Sequence, residues 1–208
     1  MALKKVADKN TLRPVEAREY PRDLPGLLAQ LADADAGVRR WAARDLAQHP
    51  KAATALCARL GVESDASVRA VLFSSATQLG GASVVNAMVQ LLRSEDPGLR
   101  NGAIEVLAGL PDAVAPHIER LLHDADSDVR IFTVNLLGDL QHPSVPQWLA
   151  HVLMHDPVVN VVGAALEVLA EVGVAESLPA LRAAKARFAD DGYIGFSADL
   201  AIARIGSP

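Results

Sequence analysis

The strongest constraint on this 208-residue chain is a short pattern that returns about every 30 residues. Each copy opens with an aspartate, two small or turn-forming residues, a branched aliphatic and an arginine. The aspartate and arginine pairs are Asp35 and Arg39, Asp65 and Arg69, Asp96 and Arg100, and Asp126 and Arg130. Asp156 continues the series, so the spacings are 30, 31, 30 and 30 residues, and a degenerate sixth copy opens near Asp190 or Asp191. Apolar or small residues follow 3, 7 and 11 positions after the aspartate, ending at Leu46, Ala76, Leu107 and Leu137. That spacing lines one face of a helix, and a fixed period of this length marks a stack of repeats.

Each copy reads as one helix from start to stop. An aspartate carboxylate accepts the unpaired amide hydrogens of a first turn. Pro97 and Pro157, directly after their aspartates, fit the first helical position, where a missing N–H costs nothing. Gly80, Gly173 and Gly206 stand near helix ends, where a left-handed residue stops the chain. Between the motif helices a second amphipathic set falls roughly at 24–32, 52–60, 83–93, 113–122, 145–154 and 177–188. Short loops join the two sets, so neighbours run antiparallel. One hairpin cannot bury its apolar stripe alone, and stacking the next upon it supplies the core. The expected fold is therefore all-α, with six helical hairpins over 23–208 forming a right-handed α-α superhelix. Residues 1–22 are expected to be a flexible or loosely packed arm, since Pro14 and Pro21 break any single long helix.

The stretches "DPGLRNGAIEVLAGL" and "DSDVRIFTVNLLGDL" resemble HEAT repeats of the short type first recognised in phycobilisome lyases. The resemblance covers about 23–206. It implies that aspartate and arginine of adjacent repeats pair into a ladder, here Asp35, Arg39, Asp65, Arg69, Asp96, Arg100, Asp126 and Arg130. It does not fix a function, because such repeats serve scaffolds, adaptors, a bilin lyase, a hydroxylase and a DNA glycosylase. The last two units depart from the pattern. Val161 and Val162 stand where Val-Arg is expected, implying two extra residues after the fifth cap, and Ile194 and Gly195 fill the same places in the sixth. Terminal repeats are atypical because they close the stack, and a surface altered for a partner at that end is the other reading.

Half of the residues are apolar but only 4% are aromatic, so the interior must be built from Ala, Val and Leu, a helix-rich vocabulary. Twenty Lys and Arg against 25 Asp and Glu give a net charge of −5, which argues against nucleic acid as partner. Cys57 is the only cysteine and reads as a small apolar helix residue, which suits a reducing compartment. The first residues lack the apolar centre of a secretory signal, and no run reaches the ~20 apolar residues of a spanning helix. These features lead to the expectation of a cytoplasmic protein without a membrane partner, monomeric or weakly oligomeric.

The candidates for chemistry are few. His151 and His155 in "HVLMH" stand four apart on one expected helix, a spacing able to hold a metal. A third ligand would have to come from elsewhere, such as Asp156, which already has a capping role. Surface or groove histidines are therefore expected, with no metal and no cofactor. No Gly-rich phosphate loop, nucleophile elbow or paired cysteine motif occurs, so no catalytic residue is assigned.

Positions 5, 9 and 13 after each aspartate should face a groove opposite the packed stripe. They read Arg40, Arg44 and Gln48 in the first unit, Asn101, Glu105 and Gly109 in the third, and Ile131, Asn135 and Asp139 in the fourth, with Glu167 and Glu171 projecting similarly in the fifth. Such a groove runs from basic to acidic, and a DNA strand would be repelled over half its length. The expected function is a non-catalytic scaffold or adaptor that holds a protein partner on its concave side. Arg40, Trp41, Arg44, Asn101, Glu105, Phe132 and Asn135 are the expected contacts, with the aromatics as anchors. The resemblance adds a bilin-lyase-type enzyme subunit as a second reading and a DNA-repair glycosylase-like repeat protein as a third.

Overall fold

The computed structural model describes residues 21–206, so the expected arm at 1–22 lies almost wholly outside the described residues. Among the described residues the structure is twelve α-helices with two short 3-10 turns and no strand. They pair in chain order. The first hairpin is α1 (Leu24–Gln30) with α2 (Ala36–Leu46), and the second is α3 (Ala53–Leu60) with α4 (Ala66–Leu79). Next come α5 (Gly81–Leu91) with α6 (Pro97–Ala108), then α7 (Pro111–Leu122) with α8 (Ser127–Asp139). The last two are α9 (Val145–His155) with α10 (Val159–Val172), and α11 (Leu178–Arg187) with α12 (Gly192–Gly206). The repeating motif forms the even-numbered helices, and the fold is an α-α solenoid.

The apolar stripe is what stacks these hairpins. Val68, Leu72 and Ala76 on α4 are fully buried, as are Val161, Ala165 and Leu169 on α10. On α8 the middle stripe position is Thr133, tolerated because its hydroxyl donates to the carbonyl of Val129 at 2.7 Å. The helices approach closely enough to need glycine at one point. A Cβ on Gly102 of α6 would stand 2.3 Å from the Phe73 ring on α4. Even-numbered helices pack tightly on one another, most closely α8 on α10 and α10 on α12, whereas α5 barely meets α7 and α7 barely meets α9. In a curved stack the layer of smaller radius is the more crowded, so the even helices form the concave layer.

Asp35, Asp65, Asp96 and Asp126 each accept from backbone amides of the turn that follows and cap their helices. Asp191 does the same for α12, through Tyr193 N and Ile194 N at 3.0 Å each. The fifth unit differs. Its helix begins at Val159, so Pro157 lies outside it rather than at the first helical position, and the chain spends two extra residues before turning. Asp156 accepts from Val158 N at 2.9 Å, but its main role is to hold an arginine, as described below. Of the glycines, Gly80 ends α4 with φ 60°, whereas Gly173 ends α10 in an extended conformation with φ −66° and ψ 151°. The stop at Gly173 is thus not left-handed. A Cβ there would stand 2.3 Å from the carbonyl oxygen of Leu169, which is reason enough for glycine.

A guanidinium locks the loop inside each of the first four hairpins. Every motif arginine donates to the carbonyl of the residue six positions earlier: Arg39 to Asp33 at 2.9 Å, Arg69 to Glu63 at 2.6 Å, Arg100 to Ser94 at 2.7 Å and Arg130 to Asp124 at 2.8 Å. Those four carbonyl-bearing residues form a second recurring position, two before the capping aspartate. Their side chains accept the amide of that aspartate, as from Asp35 N to Asp33 and from Asp65 N to Glu63.

Ion pairs then cross from one repeat to the next, but not as a uniform ladder. Arg69 reaches the capping Asp96 at 2.6 Å, and Arg130 grips Asp156 with Nε at 2.7 Å and Nη2 at 3.2 Å. Arg39 bypasses Asp65 and binds Glu63 through Nε and Nη2, each at 2.8 Å. Among the described residues Arg100 meets no carboxylate and lies instead over the Phe132 ring, 4.9 Å from its centroid. At that joint Arg93 pairs with Asp124 in its place. At the last joint Arg187 donates to the carbonyls of Leu153 and Asp156.

Glu63 is the most enclosed of these acids. Its side chain is fully buried and also accepts from Arg59 Nε at 3.0 Å. The Arg39 hydrogen bond outweighs the effect of burial and holds its pKa at about 2, against an ordinary 4.5. A carboxylate with a depressed pKa contributes stability that is complete above its unfolded pKa and disappears as pH falls through the folded one. Glu63→Gln should therefore lower stability at pH 7 by about 3 kcal/mol, since it breaks a buried pair. The gap to the parent should close between about pH 4.5 and 2, as measured by thermal melts followed by circular dichroism.

The two central arginines should also differ. Arg130→Ala strands a buried carboxylate and should cost about 3–5 kcal/mol. Arg100→Ala removes one carbonyl hydrogen bond and a ring contact and should cost about 1–2 kcal/mol. Urea titrations of the two variants give the comparison directly.

Candidate partner groove

The exposed face of the concave layer is set by the same period that buries the stripe. Arg40 and Arg44 on α2, Ala70 and Ser74 on α4, Asn101 and Glu105 on α6, and Asn135 and Asp139 on α8 are all exposed. Glu167 and Glu171 on α10 continue the line with the two-residue offset of the fifth unit, and Phe196 and Leu200 on α12 follow, with Arg204 one turn beyond them. The line begins cationic, is polar through its centre, turns anionic and then apolar before that last arginine.

Of the residues expected to contact a partner, Arg40, Arg44, Asn101, Glu105 and Asn135 stand on this line. Asn101, Glu105 and Asn135 come together because α6 and α8 pack directly, while Arg40 and Arg44 lie further along the stack on α2. Trp41 is 46% exposed at the edge of the line, with the Arg44 guanidinium 5.5 Å from its ring centroid. Phe132 is half-buried beneath Arg100, so one ring face is already occupied. All four expected ladder arginines lie at the loop edge of the solenoid, where carbonyls and carboxylates engage them. All four expected ladder aspartates cap their own helices, and of these Asp96 also receives a ladder arginine, Arg69.

Sequence reasoning allowed an altered surface at the far end of the line but named none of its residues. Tyr193, Phe196 and Leu200 of α12 are all exposed, Phe196 at 69%. Their spacing of three and four places them on one helical face, a signal visible in "YIGFSADL" once Asp191 is taken as the cap. The Tyr193 hydroxyl donates to Glu167 on α10, which ties the anionic and apolar segments together. That contact, with burial, raises the pKa of the phenol.

Other candidate groups have ordinary surroundings. Burial raises the pKa of the half-buried Cys57 thiol, which disfavours the reactive thiolate. Asp156 is held by Arg130 and is not free to serve His151 and His155 as a ligand. No helix among the described residues is long and apolar enough to cross a membrane.

Comparison with known proteins gives three kinds of likeness. Bilin biosynthesis protein PecE of Mastigocladus laminosus is 33% identical over 154 residues, which cover 71% of this chain and 56% of that protein. This chain therefore spans just over half of that relative's length. Among solved structures, a designed armadillo repeat protein in complex with the peptide (KR)4 is 17% identical with a TM-score of 0.41, covering 88% of this chain and 99% of that one. The complex of CpcE and CpcF of phycocyanin lyase from Nostoc sp. PCC7120 also matches, at 17% identity and a TM-score of 0.36, over 98% of this chain and 100% of that one. The family model for HEAT repeats matches residues 24–108 and 114–191. Matched over well more than half its length, the chain belongs to the HEAT-repeat family.

Proposed function

We propose that the chain is a non-catalytic scaffold that receives a protein partner along its concave face. The observation that carries this reading is the exposed line across the even-numbered helices, graded from Arg40 and Arg44 to Glu167 and Glu171 and followed by Phe196 and Leu200. A stacking core gains nothing from such an order of charge. A partner segment laid along the stack is read in one direction only, because reversing it sets like charges together. Its acidic part meets α2, its basic part meets α10, and an apolar side chain seats against α12 or beside Trp41. Aromatic anchors supply most of the binding energy, and the charged positions set rate and register. The same gradient disfavours nucleic acid, since phosphates drawn to Arg40 and Arg44 meet four acids further on: Glu105, Asp139, Glu167 and Glu171. A rigid stack loses little conformational freedom on binding, which favours a preformed surface. The partner is expected in the cytoplasm.

A second reading draws on the relative. Its name, bilin biosynthesis protein, favours a bilin-lyase-type subunit for this chain, acting with a second subunit. Purification from the native host, where any second subunit is present, separates the two: a covalent or tightly held visible chromophore supports the second reading, and a colourless protein counts against it.

The groove is tested by a double variant. Glu105→Lys with Asn135→Arg inverts the central charge without touching the core. Stability should change by less than about 0.5 kcal/mol, as for ordinary surface substitutions. Affinity capture from the native host, read by mass spectrometry, should lose the partner that the parent protein retains. If the folded double variant captures the same partner, the groove is not the site.

A further inference from the structure

Three imidazoles gather on the outer side of the joint between the fourth and fifth repeats, where α7 barely meets α9. His123 is the C-cap of α7, and His151 and His155 occupy the last turns of α9. His123 and His151 point their Nε2 atoms at each other across 3.3 Å. His155 stacks on His151 with ring centroids 4.3 Å apart. All three line one cleft of about 220 Å³.

The backbone fixes two of the tautomers. His123 Nδ1 lies 2.7 Å from the carbonyl oxygen of Glu119, and His155 Nδ1 lies 2.9 Å from that of His151. A carbonyl oxygen only accepts, so each Nδ1 carries the proton and each Nε2 keeps a bare lone pair. An imidazole whose far nitrogen donates to a backbone carbonyl is the arrangement metal-ligating histidines adopt. The separation across the cleft matches as well. Two nitrogens bound to a tetrahedral ion at about 2.0–2.1 Å stand about 3.3–3.4 Å apart. The carboxylates of the cleft are committed elsewhere, Asp124 to Arg93 and Asp156 to Arg130.

We propose that His123 and His151 anchor a binding site for a divalent transition-metal ion of the imidazole-preferring class, with zinc as its representative. His155 gives the third nitrogen only when its ring leaves the stack and gives up its bond to the His151 carbonyl, and water fills the remaining positions. Among the described residues no three His, Cys, Asp or Glu side chains already converge on one point, so the pair His123 and His151 is the preformed part of the site and the third ligand is not. The ion bridges two repeats on the outer layer, and the proposal is independent of the groove.

The test uses tag-free full-length protein titrated with zinc by isothermal calorimetry at pH 7.5, with cobalt absorption as a second reading. One ion per chain should bind with micromolar affinity, and zinc should raise the melting temperature. His123→Ala and His151→Ala, each checked for folding by circular dichroism, should weaken binding at least tenfold and abolish the zinc-dependent rise. Affinity in the parent should fall as pH drops through the histidine range near 6.5. No zinc binding tighter than 100 μM in the parent, or affinity within tenfold of the parent in either variant, overturns the site. Unchanged affinity in His155→Ala overturns the third ligand.

Discussion

The structure depends on arginine side chains folded back on the loops inside its hairpins. Helices that turn sharply at the solenoid edge leave carbonyls without partners, and a buried carbonyl left unpaired destabilises the fold. The arginine four residues into each of the first four motif helices meets this need with one arm and leaves the others for the next repeat. A lysine, with its single ammonium, could not satisfy two directions in this way. The apolar stripe drives stacking in general, but the guanidinium decides where each loop lies and so where the next hairpin begins. Without that fixed geometry the exposed residues of successive helices would not align into a continuous line.

The last two repeats solve the problem differently. Where Val162 and Gly195 replace arginine, Arg187 approaches from α11 and closes the carbonyls of Leu153 and Asp156 from outside. Tyr193 and Glu167 add a side-chain tie across the same joint. Thus the departure from the motif at this end coincides with a change of support, and the face of α12 presents Phe196 and Leu200 where earlier helices carry polar residues, with Arg204 exposed one turn further on.

Much of this was legible in the sequence because it repeats. The period placed all twelve helices, Asp35, Asp65, Asp96 and Asp126 declared themselves as caps, and the slip at Val161 announced the late start of α10. What escaped was the second recurring position. Asp33, Glu63, Ser94 and Asp124 share a geometry but not a residue type, so Glu63 as the partner of Arg39 is invisible to a pattern that aligns aspartate with aspartate. Exposure of Arg40, Arg44, Asn101, Glu105 and Asn135 followed from the helical period alone. The covering of Phe132 by Arg100 did not, because it needs two helices placed in three dimensions. His123 was missed as a neighbour of His151 for the same reason, being 28 residues away and nearly one full repeat.

The sparse packing of α5 on α7 and of α7 on α9 has a mechanical consequence. A stack crowded on its inner side and loose on its outer side behaves like a leaf spring whose inner leaf is stiff. Flexing it changes the outer gaps far more than the inner spacing, because few van der Waals contacts resist there. On its outer side the arc is therefore compliant at the first joint, where α1 hardly touches α3, and again behind Asn101, Glu105 and Asn135, where α5, α7 and α9 pack sparsely. A ligand lying across the inner face need only adjust the curvature of those segments, while the closely packed α8, α10 and α12 resist the change at the far end.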